Sequence, residues 1–332
     1  MLFGLLILLM IMATYHWGRY IQKREKSQLM QFLERFDSAS CVLEETEIPF
    51  DESMSKPLLL LAKAFESSGE YHKSISIYLY LIKQEPSNQL LEQLGKIYLK
   101  AGFLERAEQI FLQILSRDPR DISVLYQLGS VYEMLQQYDK AIETLEPLEV
   151  LGEEIGMLRA FWRFEALQKE TDLSTEEKIS ALLQMQRETP ELYRLIIHTL
   201  FRLDYTIGWQ HLQKEQIKKT LDLLWYLPAS QLDLDIIRSD KRLTKIYFAR
   251  GDIPHIEAEI LREPSGMVSI DILAAARYAS QQEGDLSFSY LCDRCKQSFP
   301  IAFKRCPNCL AINSAQLEEQ IAKDEETDHT LF

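Results

Sequence analysis

The sequence predicts an all-α chain of stacked helical pairs, preceded by a transmembrane helix and closed by a small metal-binding ribbon. Three observations carry that expectation. A residue pattern recurs every 33 or 34 positions through the first half, residues 1–18 hold no full charge, and four of the five cysteines lie between 292 and 309 as two Cys-x-x-Cys pairs. A length of 332 residues suggests about two domains. A hydrophobic content of 46% allows a substantial core and argues against wholesale disorder. The net charge of −13 argues against a nucleic-acid protein, which needs a basic face.

Residues 1–18 are just long enough for a short transmembrane helix. A cleavable signal peptide carries its positive charge before the apolar run, whereas here Arg19, Lys23, Arg24 and Lys26 follow it, and no Ala-x-Ala site appears. The positive-inside rule then predicts an amino terminus outside and everything after Arg19 in the cytoplasm, with Tyr15, His16 and Trp17 at headgroup level. Residues 19–54 lack periodicity through "DSASCVLEETEIPFDES" and are expected to be a tether.

Residues 55–155 hold three clear repeats. Leu61, Ala62, Phe65, Gly69, Ser74 and Tyr78 align with Leu94, Gly95, Tyr98, Gly102, Ala107 and Phe111, each pair 33 apart, and Leu128, Gly129, Tyr132 and Ala141 follow at 34. Pro86 and Pro119 close the first two units. The pattern resembles the tetratricopeptide repeat. Its small residues let paired helices approach, its aromatics fill the space between units, and its proline ends the second helix. Each pair leaves an apolar face that only a neighbour can cover, so a solenoid is expected.

From 156 to 287 the pattern diverges. Trp162, Ala166 and Pro190 keep the spacing of a fourth pair, with "KETDLSTEEK" between its helices. Residues 193–227 are helical by apolar periodicity, with Pro228 as a stop, and Tyr247 and Gly251 suggest another pair over 237–262. "DILAAARYASQQEGD" reads as a last helix.

Cys292 and Cys295 form one pair and Cys306 and Cys309 the other, with ten residues between. Two such knuckles place four thiolates around one zinc ion, and iron fits the same ligand set. Two disulfides or a redox-active Cys-x-x-Cys are the competing readings. Arg294, Lys296, Lys304 and Arg305 supply local positive charge against Asp293 alone, which favours thiolates. Four protein ligands leave no position for water, so such a site is structural and not hydrolytic. The module is expected over 288–314, followed by an acidic tail over 315–332.

Nothing else reads as chemistry. No Gly-rich phosphate loop, His-Glu-x-x-His or Gly-x-Ser-x-Gly occurs, and His198 and His211 fall in mixed apolar helical segments that suit structural histidines. The chain is therefore expected not to be an enzyme. A repeat scaffold would instead present the first helices of its units to a partner, through Lys63, Glu66, Glu92, Lys96, Tyr126 and Glu133, with Tyr126 as the strongest anchor.

The order of apolar amino terminus, repeats and terminal knuckles resembles the lipopolysaccharide assembly protein B family of Gram-negative bacteria. The likeness rests on "ATYHWGR" at Ala13 to Arg19 and on Y-x-C-x-x-C with C-P-x-C, here Tyr290 to Cys295 and Cys306 to Cys309. Lys296 and Ile312 stand where that family carries glycine and tryptophan. The resemblance implies a rubredoxin-like zinc ribbon on a tetratricopeptide solenoid, single-pass in the bacterial inner membrane, with a periplasmic amino terminus and a cytoplasmic bulk. It also implies an adaptor that helps the AAA+ metalloprotease FtsH degrade the deacetylase LpxC, with no nucleic acid bound; a homo-oligomer is compatible with that role. The alternatives are a zinc-containing repeat scaffold of another membrane or nucleic-acid complex and an iron rubredoxin-type electron carrier.

Overall fold

A computed structural model describes residues 50–281 and 284–322. The chain divides into two compact units, 1–155 and 156–332. In the first, α1 (Ser55–Ser67) and α2 (Tyr71–Gln84) form one helical pair, and α3 (Asn88–Lys100) and α4 (Leu104–Leu115) the next. A third pair joins α5 (Ile122–Met134) to α6 (Tyr138–Glu143) and α7 (Leu145–Val150). Local chemistry sets the boundaries. Ser87 and Asp121 cap α3 and α5, accepting from the Leu90 and Val124 amides at 3.2 and 3.0 Å. Pro147 would crowd the carbonyl four residues earlier, that of Glu143, where α6 stops.

The turn inside each pair needs a left-handed residue. Gly69 and Gly102 supply it at φ 78° and 82°, and Gln136 takes the corresponding place in the third pair at φ 59°. Gly95 marks a close approach, since a β-carbon there would lie 2.5 Å from Cε1 of buried Phe111. In the first pair Ala62 and Ser74 meet at the equivalent place, and the Ser74 hydroxyl donates to the Ala62 carbonyl at 2.8 Å.

The second unit opens with α8 (Gly156–Lys169) and α9 (Thr175–Glu188), the latter begun by a reciprocal capping box between Ser174 and Glu177. Then come α10 (Tyr193–Leu203), α11 (Tyr205–Gln210), a 3-10 turn over Lys214–Thr220, and α12 (Leu221–Tyr226). Four helices come next: α13 (Leu234–Ser239), α14 (Lys241–Arg250), α15 (Ala258–Arg262) and α16 (Val268–Ser280). A three-stranded antiparallel sheet ends the unit in the order β2 (Ser298–Phe299), β1 (Asp285–Cys292), β3 (Ala315–Ala322). Phe164, Ile196, Trp209, Trp225 and Tyr247 share one core with Leu286 of β1. Buried Lys245 fills its three donor positions with the Leu261 and Glu263 carbonyls and Asp271, tying α14 to α15 and α16.

Two expectations are corrected. Residues 315–322, expected to begin an acidic tail, form β3 and pair with β1 over its whole length, from Asp285 with Ala322 to Cys292 with Ala315. Ala315, Leu317 and Glu319 lie on the more covered face and Gln316, Glu318 and Gln320 on the exposed one, so its charge sits on a half-solvated strand.

The second is the placement as a single-pass protein of the inner membrane. Among the described residues, no helix is long and apolar enough to cross a membrane. The longest, α2, α8 and α9, have 14 residues. At about 1.5 Å per residue these reach roughly 21 Å against a hydrocarbon layer of about 30 Å. The segment behind that expectation, 1–18, lies outside the described residues, as do residues 19–49 of the expected tether.

Candidate metal centre

Cys292 closes β1, and the chain turns through Asp293–Cys295 before β2. The second knuckle repeats the first bond for bond. Amides of Lys296 and Leu310 donate to the Cys292 and Cys306 carbonyls at 2.9 Å, and the Cys292 and Cys306 amides donate to Gln297 and Ala311 at 2.9 and 2.8 Å. Lys296 and Leu310 both sit at φ 59°. That conformation explains the glycine found at the Lys296 position in the family the sequence resembles, since glycine enters it without strain.

The two turns face one another and bring the four sulfurs together. All four lie within 4.8 Å of one another, with Cys292 to Cys309 at 3.6 Å and Cys295 to Cys306 at 3.7 Å. Four sulfurs at about 2.3 Å from one tetrahedral metal ion stand about 3.8 Å apart, so the cluster has the dimensions of a filled cage. Cys292 and Cys306 are buried, and Cys295 and Cys309 are half-buried. Burial opposes ionisation of Cys292, but bonds from the Cys295 amide and the Ser314 hydroxyl outweigh it and bring that thiol down to about 6. At Cys309 the Ala311 amide favours the thiolate, yet burial and the neighbouring sulfurs prevail and raise the thiol to about 11. Four thiolates at this spacing would need a central cation, so the donor set fits a metal ion. All four donors are protein atoms, so an ion held there would act as a structural staple.

The module is fastened to the helices of its own unit by residues that sequence reading assigned elsewhere or passed over. Lys304, expected to screen the thiolates, pairs with Glu165 of α8 at 2.7 Å and stands 5.5 Å from the Phe164 ring. Arg305 lies 5.6 Å from the Phe161 ring and donates to the Leu310 carbonyl at 2.8 Å. The Tyr290 hydroxyl donates to Asp222 Oδ2 at 2.9 Å, and Arg194 grips both oxygens of the same carboxylate at 2.9 and 2.5 Å. Burial and then the Asp222 charge push the Tyr290 phenol up. Asp285 accepts from Trp225 Nε1 at 2.8 Å, and the Tyr226 ring meets Phe288 edge-on at 5.5 Å. Only Tyr290 carried a signal, since a tyrosine beside a buried ligand needs a partner for its hydroxyl.

The residues expected to form a partner face lie on α1, α3 and α5. Lys63 is exposed, and the others are half-buried and engaged with other groups of this unit. Glu66 pairs with Lys100 at 2.5 Å, and Glu92 pairs with Lys96 at 2.6 Å and accepts from Ser123 at 2.7 Å. Tyr126 donates to Glu153 at 3.2 Å. Glu133 also has a partner. Two of these contacts, Glu66 with Lys100 and Ser123 with Glu92, run from one helical pair to the next, so part of the row's polarity holds the stack together.

The two features define a class of protein, one with tetratricopeptide-like helical repeats and a terminal four-cysteine module able to hold a metal ion. Tetratricopeptide-repeat models match residues 59–122 and 110–143. The chain is similar to "Lipopolysaccharide assembly protein B" of Escherichia coli K12, 33% identical over 101 residues, which are 29% of this chain and 26% of that protein. The alignment thus spans about a quarter of the relative's length. "TPR repeat-containing protein YpiA" of Bacillus subtilis is 27% identical over 105 residues, 31% of this chain and 25% of that one. Among solved structures, MamA residues 41 to the end from Desulfovibrio magneticus RS-1 align at TM-score 0.37 and 17% identity, over 47% of this chain and 90% of that one.

Proposed function

We propose that the chain is a non-catalytic adaptor in the control of lipopolysaccharide assembly, bringing LpxC to the FtsH protease for degradation, with zinc as the ion held by its four cysteines. The observation that carries the reading is one chain combining tetratricopeptide repeats, a 101-residue similarity to lipopolysaccharide assembly protein B and a four-thiol cage. A structural ion suits the role because a three-stranded ribbon has too small a core to stand without one. Two partners need two surfaces. The row from Lys63 to Glu133 on the first helices is one, and Tyr126, half-buried with a polar tip, is its best anchor.

The test is the half-life of LpxC in cells with and without the chain, paired with capture of FtsH and LpxC on the tagged protein. Faster LpxC loss when the chain is present, with both proteins captured, is the expected result. An unchanged half-life sinks the proposal.

A further inference from the structure

The second unit contains a cleft of about 290 Å³ between α8, α10 and the loop leading into the second knuckle. Buried Phe164 and half-buried Leu195 and Leu223 line its apolar part, and exposed His198, Arg202 and Lys304 supply its polar part. No carboxylate lines it, although the chain carries a net charge of −13. The nearby acids are already committed, Asp222 to Arg194 and Tyr290, and Glu165 to Lys304. Arg202 donates to a neutral acceptor, Gln168 Oε1, at 2.6 Å. Cationic side chains beside an apolar recess match a segment with a large apolar residue flanked by carboxylates. We infer that this cleft is a docking site for an acidic peptide segment of a partner protein, holding one apolar side chain against Phe164, Leu195 and Leu223 while flanking carboxylates meet Arg202 and Lys304.

The site exists only because the knuckle loop packs on α8, so metal loss would dismantle it, which gives the distant cysteines a role in recognition. The inference rests on the adaptor reading and supplies it with a second surface and a ligand chemistry.

The test uses the full chain with its metal and a fluorescein-labelled Asp-Glu-Phe-Asp-Glu peptide read by anisotropy. Saturable binding that weakens with salt is expected, with a loss of about tenfold or more in Arg202→Glu and no binding of Lys-Lys-Phe-Lys-Lys. Arg202 is exposed, so the variant should keep its helical content, and His198→Glu is a second variant with the same expected direction. No saturable binding, or affinity unchanged in both variants, overturns the inference. Equal competition by inorganic phosphate reduces the cleft to a simple anion site and also overturns it. Binding that appears only after residues 323–332 are removed assigns the cleft to the chain's own acidic end, and binding that tracks dimer formation assigns it to a second copy. Either outcome overturns the proposed source. Capture of LpxC or FtsH that survives Arg202→Glu counts against the cleft while leaving the adaptor reading intact; failure of the wild type to capture either counts against the adaptor reading, and the peptide isotherm still judges the cleft.

Discussion

Tyr290, two residues before the first ligand cysteine, donates a hydrogen bond at 2.9 Å to Asp222, 68 positions earlier. Arg194 clasps the same carboxylate from α10, so one buried acid joins strand, helix and guanidinium. Removing one partner of such a group strands the other charge, which costs more than the bond itself is worth. Asp222→Ala is therefore expected to destabilise the second unit by about 3 kcal/mol. Urea unfolding followed by tryptophan fluorescence measures it, and a loss below about 0.5 kcal/mol, the size of a bare surface change, would contradict the buried-network reading.

Replacing one ligand breaks the cage. Cys306→Ser should abolish stoichiometric metal binding and loosen β1 and β3, because apparent metal affinity is folding free energy in so small a module. Metal analysis of the purified protein should give one zinc per wild-type chain and far less in the variant. One retained ion per variant chain would show that fewer ligands suffice, and iron in place of zinc would favour the electron-carrier alternative.

High pH should destabilise the second unit through its buried phenols. Burial raises the Tyr193 phenol to about 12 and also raises Tyr247 and Tyr290 above their ordinary value of 10.0. A group whose folded pKa is raised contributes stability that is fully present below its unfolded pKa and lost as pH rises through the folded one. Stability should thus be flat up to about pH 10 and fall steeply beyond it, and Tyr290→Phe should flatten the fall. A pH series of thermal melts reads this; an unchanged slope in the variant would remove Tyr290 from the account.

Gly95→Ala tests the repeat packing. Alanine favours a helix over glycine by about 1 kcal/mol, but its methyl would lie 2.5 Å from the Phe111 ring, which is fully buried and has nowhere to go. A net loss of about 1–3 kcal/mol in the first unit is expected, with metal content unchanged. A rise in melting temperature would show that the ring can step aside.

Much of the first unit could be read directly from residues 61–141, because helix faces and turn residues recur at short range and a 33-residue period repeats the same local solution. Gly69 and Gly102 announced the turns; Gln136 hid the third, since its side chain gives no sign of the left-handed backbone it adopts. The fourth pair was visible in Trp162, Ala166 and Pro190, while the stretch from 193 to 227 is cut into shorter pieces by Asp204, which caps α11, and by the 3-10 turn at 214–220.

The repeat period and the paired cysteines are legible along the chain, because both rest on residues within a few turns of one another, and a Cys-x-x-Cys turn needs little beyond its own backbone. Where the knuckles lie is settled only by folding. Lys304 finds Glu165 across 139 positions and Tyr290 finds Asp222 across 68, pairings that no local pattern encodes. The same holds for β3, whose charge reads as solvated tail until β1 supplies a ladder for its backbone. The basic cleft, likewise, is assembled from α8, α10 and a loop over a hundred residues away. Distant segments meet where burying apolar surface and sharing one carboxylate lowers the free energy of the whole unit, and that sum is taken over contacts made only after the chain has folded.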